Sequence, residues 1–346
     1  MPDRETRNAD PRRRRARRLS GYLSLVLICV VATGTGDASN AARQVFIDLA
    51  SADAVGTHRL ESDPARADAL LFVDAHCNTA DVLQRQLRSH PLVRAHRGKT
   101  YVYDQRDRPL WSFPGLYMNA TRREGERRRL MIGGPYATTA ADDELPDRSP
   151  DLLFSFRGSR THPLRDEVLQ LRHPRALVED TTQAGFFGPP TAELLALQEV
   201  ERGRYHESMA RSKFVLCPRG YGVSSVRLYE VLRAGRVPVI LSDEWLRPRG
   251  VDWDAGSVTA AERDVARIPE LLERLEPDWE TMRSASRALA ETFARDHLWH
   301  YYANSIAGLA AARGRVVRPW WAQRRVARYW VDRTAVALGR SRADYV

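Results

Sequence analysis

Between Lys213 and Asp243 the sequence reads KFVLCPRGYGVSSVRLYEVLRAGRVPVILSD. KFVLC is a continuous apolar run of the kind that forms a strand buried on both faces. Pro218 ends the ladder, Gly220 and Gly222 permit a tight turn and close approach of a ligand, and Ser224 or Ser225 can cap the helix that follows. The first N–H groups of such a helix point back at the carboxyl end of the strand, where open parallel sheets bind ligands and an anion is favoured. Arg219 in the turn and Arg227 in the first helical turn add guanidinium groups suited to bidentate contact with phosphate. Glu230, three residues beyond Arg227 on a neighbouring helical position, is within reach of a sugar hydroxyl just past the phosphates. A diphosphate bearing a ribose fits this order of groups. The spacing alone equally suits an ordinary strand-to-helix turn with Arg227 and Glu230 as a surface ion pair, and the GxGxxG fingerprint is absent.

Such a turn needs a parallel sheet to present it, and the rest of the chain has that rhythm. Short apolar runs alternate with amphipathic stretches, the pattern of sheets covered by helices. QVFIDLA (44–50), ALLFVDA (69–75) and KTYVYD (99–104) read as strands, and residues 79–89 place Val82, Leu83 and Leu87 on one helical face. Residues 138–151 are polar, acidic and carry two prolines, which reads as a linker between two domains. A second series follows: DLLFSFRG, a helix from Pro163, ALVED, TAELLALQEVE, KFVLCP, VPVILSD and a long helical region over 278–312. The expected architecture is two Rossmann-like domains facing across a cleft, over 37–145 and 146–312, with a basic aromatic helix over 313–346.

The net charge of +10 belongs to the ends. Residues 1–18 hold eight Arg against three acids and residues 313–346 nine Arg against two Asp, leaving the middle slightly acidic. A basic groove for nucleic acid through the core is therefore not supported. The arginine run at 12–18 precedes the apolar stretch LSGYLSLVLICVVATGTG (19–36), which resembles a cleaved leader, with SNA before Ala42 as the cutting place, or a single-pass membrane anchor. Either assignment puts residues 1–36 outside the first domain and the rest of the chain across a membrane: a type II protein of the Golgi or endoplasmic reticulum lumen, or a secreted one. Beyond that stretch only Cys77 and Cys217 remain, so one intramolecular disulfide is the most that can form. Asn119-Ala120-Thr121 is a glycosylation sequon.

Pro218, Arg219, Gly220, Ser225, Arg227, Glu230, Leu232, Gly235, Pro238 and the run Val239 to Asp243 together resemble the C-terminal domain of the exostosin family of glycosyltransferases. PRGVDWDAGSV (248–258) and LLFSFRGSRTHPLRDEVL (152–169) are similar to two further blocks of that family, Arg160 matching the basic residue of the second. The resemblance covers about residues 150–310. It implies a GT-B fold and inverting transfer of a sugar from a nucleotide diphosphate donor, UDP-linked, to a glycan acceptor. It also implies a donor site in which Arg219, Arg160 and the helix start at Ser225 hold the diphosphate without a metal and Glu230 holds the ribose. Gly220, Arg227, Ser242 and Asp243 complete that site. Asp252 and Asp254 form a D-x-D triplet, a metal signature of another glycosyltransferase fold, but lie within a family block where a structural turn is expected.

The base for the acceptor hydroxyl is expected from the N-terminal domain. FVDAH places Asp74 and His76 at a strand end, with Asp104 as a rival, although position alone favours reading each as a solvated strand-end group. The aromatic and basic stretch 318–333 suits packing of a last helix across to the first domain, or a membrane surface. HLWHYYANS (297–305) reads as core of the long helical region, its two histidines lacking the paired acid or cysteine of a metal site. Homo- or hetero-oligomers with another glycosyltransferase are compatible with the family. Two rival functions stand beside transfer: a non-catalytic exostosin-like subunit, and a basic module that binds acidic glycans through the arginine-rich ends.

Overall fold

A computed structural model describes residues 25–74, 80–107, 109, 113–128, 131–137, 148–184 and 191–313. The first series of elements is β1 (Leu27–Ala32), α1 (Asp37–Ser51), β2 (Arg59–Leu60), β3 (Ala69–Val73), α2 (Ala80–Ser89), α3 (Pro91–Ala95), β4 (Thr100–Asp104), β5 (Gly115–Tyr117), α4 (Arg122–Arg128) and β6 (Met131–Ile132). Its strands form a parallel sheet in the order β2-β1-β3-β4-β5-β6. The second series is β7 (Leu152–Gly158), α5 (Pro163–Val168), β8 (Ala176–Asp180), α6 (Ala192–Ala210), β9 (Ser212–Pro218), α7 (Val226–Arg233), β10 (Val237–Leu241), α8 (Trp253–Gly256) and β11 (Val258–Thr259). These strands form a parallel sheet in the order β11-β10-β9-β7-β8. Helices α9 (Ile268–Leu275), α10 (Trp279–Thr292) and α11 (Arg295–Arg313) close the described chain. Two parallel α/β sheets with their strand ends meeting across a cleft are the GT-B architecture.

Two sequence expectations need correction. Residues 27–32, part of the stretch read as a leader or anchor, are β1, paired on both edges, with Ile28, Cys29 and Val30 buried. A leader's apolar region and a doubly buried strand have the same composition, so only the partner strands separate them. The expected cutting place before Ala42 lies inside α1, where Ser39 is buried and donates to Asp74 Oδ1 at 3.3 Å. The first domain therefore begins before residue 37. Among the described residues no helix is long and apolar enough to cross a membrane; residues 1–24 lie outside them.

The second correction concerns QVFIDLA, which is not a strand but the last half of α1. Phe46 and Leu49 are buried and Val45 and Ala50 half-buried, a stripe at helical spacing that a short apolar run cannot announce by itself. Other expected strands fall where their apolar runs lie, since ALLFV and TYVYD are buried along their whole length. Residues 138–147 of the expected linker lie outside the described residues. Cys29 and Cys217 are buried free thiols, and burial pushes Cys217 up to about 12.

One aromatic core joins the two sheets. Helix α11 crosses to the first domain, where Tyr302 lies 5.4 Å from Phe46 and 5.6 Å from Tyr103. The hydroxyls of Tyr301 and Tyr302 donate to the Gly133 and Pro135 carbonyls at 2.9 and 2.8 Å. The crossing element is thus residues 295–313; the stretch expected to cross, 313–346, lies outside the described residues from 314 onward. HLWHYYANS is core as expected, with Trp299 and Tyr302 fully buried, although His297 does meet an acid, Asp296, at 3.1 Å.

Trp253 anchors the second-domain side of this core. It stacks on Phe293 at 5.8 Å, meets Trp245 edge-on at 5.1 Å, and donates its indole N–H to the Pro248 carbonyl at 2.9 Å. Trp253→Ala is expected to cost about 3–5 kcal/mol, the range for buried aromatic truncations. Urea unfolding checks this, as a lowered midpoint with an unchanged slope.

Candidate functional site

In the second sheet the chain turns one way from β7 to β8 and the other way from β7 to β9, so the topological switch point lies between the carboxyl ends of β7 and β9. The β9–α7 turn, residues 219–225, stands at that point. Ser225 is the N-cap of α7, but its side chain makes no capping bond, so the first N–H groups of the helix are not closed by it. The two turn glycines serve close approach. A Cβ at Gly220 would stand 3.0 Å from Thr161 Oγ1 and 3.2 Å from the Arg165 guanidinium. A Cβ at Gly222 would stand 2.2 Å from Asn119 Oδ1 and 2.8 Å from Asp107 Oδ1, both from the first domain.

Under the turn lie two guanidinium groups bound to strand-end carbonyls. Arg165, from α5, donates to the carbonyls of Arg219 at 2.9 Å, Ser159 at 3.1 Å and Pro218 at 3.3 Å. Arg227 donates to the carbonyls of Arg157 and Leu216 and lies over Phe156, 4.5 Å from the ring centroid. Neither is bonded to a carboxylate among the described residues. Burial, followed by the neighbouring Arg227 charge, pushes Arg165 down to about 9. An arginine keeps its proton at neutral pH, so Arg165 stays charged where burial and the Arg227 charge both disfavour it, with Asp107 acting in the opposite sense. Two buried polar atoms beside the turn, Arg219 Nε and Thr161 Oγ1, have no hydrogen-bond partner. Guanidinium groups with no carboxylate bonded to them and idle donors at a helix start suit a compact, multiply charged anion.

Of the residues singled out from sequence, the fold brings Arg219, Gly220, Ser225, Arg227 and Glu230 together. Glu230 accepts from Tyr205 at 2.7 Å, and the same phenol accepts from Arg227 Nε at 3.2 Å. Arg227 and Glu230 are therefore linked through Tyr205 rather than as a surface ion pair. Arg160 is held at the surface by Asp166 and Asp180, each at 2.6 Å, and lines a separate cavity of about 370 Å³ with Leu171, Ala176 and Val178. Its charge is matched, and Arg165 takes the place under the turn. Ser242 donates to the Val223 carbonyl at 2.7 Å, while Asp243 and Glu262 exchange backbone-to-carboxylate bonds at 3.0 and 3.1 Å. Those two brace the turn from the β10 side. Asp252 caps α8 by accepting from Ala255 N at 3.3 Å, and Asp254 pairs with Arg247 at the surface.

Across the cleft, Asp74 is buried at the end of β3 beside Ser39; His76 lies outside the described residues. Asp104 is buried and accepts from Arg106 N at 3.0 Å and Arg106 Nε at 2.9 Å, so it shapes a loop. The sequon residue Asn119 is 3% exposed and fully engaged. Its Nδ2 donates to the Arg106 carbonyl and the Tyr136 hydroxyl, each at 3.1 Å, and its Oδ1 accepts from Ser224 N at 2.8 Å. It is an interdomain clamp, out of reach of a glycan-adding enzyme in the folded chain. Sequence reasoning missed Arg165, Tyr205, Asp107 and Asn119; only Arg165 had a local signal, a basic residue following the β7 strand. Gly222→Ala would push Asn119 off Ser224 N and is expected to cost about 1–3 kcal/mol, the range for overpacking, read as a lowered melting temperature that Asn119→Gly in the same chain partly restores.

The sequence pattern of the exostosin GT47 domain matches residues 119–275. An exostosin-1 homolog of Caenorhabditis elegans is 46% identical over 76 residues, 21% of this chain and 20% of that protein. Exostosin-2 of Bos taurus is 27% identical over 223 residues, 61% of this chain and 29% of that protein. The Arabidopsis thaliana protein named "Probable glucuronoxylan glucuronosyltransferase IRX7" is 42% identical over 82 residues, 23% of this chain and 18% of its own length. The chain thus spans less than a third of these relatives. Among solved structures, the glycosyltransferase WaaG is similar at 11% identity with a TM-score of 0.39, over 81% of this chain and 99% of its own. Residues 119–275 thus carry the pattern of the exostosin GT47 domain, and the sequence relatives named here resemble the chain over part of its length.

Proposed function

We propose that the β9–α7 turn holds the diphosphate of a nucleotide sugar, UDP-linked, and that the protein transfers the sugar with inversion to a glycan. The observation that carries this reading is the pair of half-buried guanidinium groups, Arg165 and Arg227, held on backbone carbonyls with no carboxylate bonded to either among the described residues. A departing diphosphate needs its growing charge matched, and preorganised donors in a dry site do that without reorganisation. Arg219 Nε and Thr161 Oγ1 offer further donors beside the turn. Glu230, oriented by Tyr205, takes the ribose hydroxyls. The donor binds without a metal. The names of the relatives, which include glucuronosyltransferases, favour a hexuronic acid donor. The same donors also suit a subunit that binds a nucleotide sugar without turning it over, and turnover separates the two.

Thermal-shift titrations with UDP, GDP, ADP and CDP are expected to show stabilisation by UDP above the other three, unchanged by EDTA. Arg219→Ala should weaken that binding by about tenfold or more, the worth of a charge-assisted hydrogen bond. Glu230→Ala should bring the nucleotide and its 2′,3′-dideoxy analogue to equal affinity. Stabilisation by none of the four nucleotides would falsify the nucleotide-sugar reading.

A further inference from the structure

We propose that the first domain holds an uncharged sugar unit of the acceptor at its own switch point, through Thr33, Ser39 and Gln86. The inference rests on the glycosyl-transfer reading above and concerns its second substrate. In the first sheet the chain leaves β1 for β2 on one side and returns past β1 to β3 on the other. The crevice where an open parallel sheet takes a ligand therefore lies between the carboxyl ends of β1 and β3. Those ends carry Thr33, whose N–H donates to the Val73 carbonyl at 3.0 Å, and Asp74. The next strand beyond β3, about 5 Å away, is β4, and the loop after β4 is the one that meets the donor turn at Gly222.

Polar side chains converge here around Gly34. Thr33 is 5% exposed, and its Oγ1 has no hydrogen-bond partner among the described residues. Gln86, from α2, has a buried Oε1 in the same state. A Cβ at Gly34 would stand 3.0 Å from Ser39 Oγ and 3.1 Å from Gln86 Nε2, so the missing side chain keeps both groups accessible from the turn. Ser39 donates to Asp74 Oδ1 at 3.3 Å, which leaves its hydroxyl to act on a ligand as an acceptor. A buried hydroxyl or amide oxygen without a partner is costly, and a ligand that supplies the missing bonds removes that penalty.

The chemistry of these groups selects the ligand. Hydroxyl and amide groups, able both to donate and to accept, match the hydroxyls of a sugar ring. The charge here is opposite to that of the donor turn. Residues 33–40 read TGTGDASN without a basic side chain, Asp74 is buried beside Ser39, and Asp37 in the first turn of α1 already meets the positive end of that helix. Arg43, the first cation along α1, is bound to the Val30 carbonyl at 2.9 Å. An acidic sugar is therefore disfavoured and a neutral hexose or pentose favoured. Thr35, Gly36 and Asp37 are exposed, so the turn over the crevice faces the outside.

The test measures oligosaccharide binding to the full chain by saturation-transfer NMR titration, with and without UDP, and needs no turnover. The probes are xylo-, gluco- and galacto-tetraoses, together with gluco- and galacto-tetraoses oxidised at C6 to uronic acids. The parent is expected to bind at least one neutral tetraose and to bind the oxidised forms about tenfold or more weakly. Thr33→Val and Gln86→Leu should each weaken the neutral ligand by about three- to tenfold, the worth of one hydrogen bond, with melting temperature and UDP affinity close to the parent's. Thr33→Ser should keep the parental affinity, and Asp74→Asn should narrow the gap between neutral and oxidised ligands. Parental tetraose affinity in both Thr33→Val and Gln86→Leu overturns the site. So do loss of UDP affinity in step with the tetraose, binding of the oxidised forms as tightly as the neutral ones, and binding of no tetraose at all. A parent that binds no nucleotide, yet binds a neutral tetraose and loses it in the two variants, upholds the crevice as a sugar site and overturns the transfer reading instead.

Discussion

Everything at the cleft depends on two arginine side chains threaded under the switch point. Arg165 and Arg227 bind five backbone carbonyls at or near the ends of β7 and β9. They fix the relative height of the two strand exits and at the same time concentrate positive charge beneath the turn. Taking a cation even partly out of water is costly unless it is paired, and both arginines are half-buried. A protein that leaves two such groups on neutral carbonyls keeps a strong local preference for an anion, at the place where open parallel sheets bind ligands.

The second constraint is the union of the domains. The aromatic cluster of Phe46, Tyr103, Tyr229, Trp253, Phe293, Tyr301 and Tyr302 runs from one sheet to the other as a single buried body. Asn119 continues that union to the rim of the site, joining the loop after β4 to the turn after β9. The polar groups of the first domain that face the turn are thereby held at hydrogen-bonding distance. Positioning of this kind is what a displacement between two substrates requires.

Some of this was legible in the primary structure. Where apolar runs were buried on both faces, as in ALLFV and SKFVLCP, the strand was visible and so was the turn it fed. Errors arose where composition is degenerate. LICVVA has the makeup of a leader and of a central strand, and VFIDL that of a strand and of a helical stripe. Roles of charged residues failed for a related reason. Arg160 and Arg227 look equally suited to phosphate in sequence, yet two carboxylates hold the first while the second lies on Phe156 and strand carbonyls.

The sequence by itself determined the parallel α/β class, the exostosin resemblance and the turn at 218–225, because burial patterns, glycines and helix starts are local properties. Only the tertiary structure decided which arginine stands under the turn, that β1 belongs to the first sheet, and that Asp107 and Asn119 face Gly222. Those pairings join residues distant in the chain, from Ile28 to Ala69, from Arg165 to Arg219 and from Asn119 to Ser224. No local spacing encodes a contact that strand order and domain packing create.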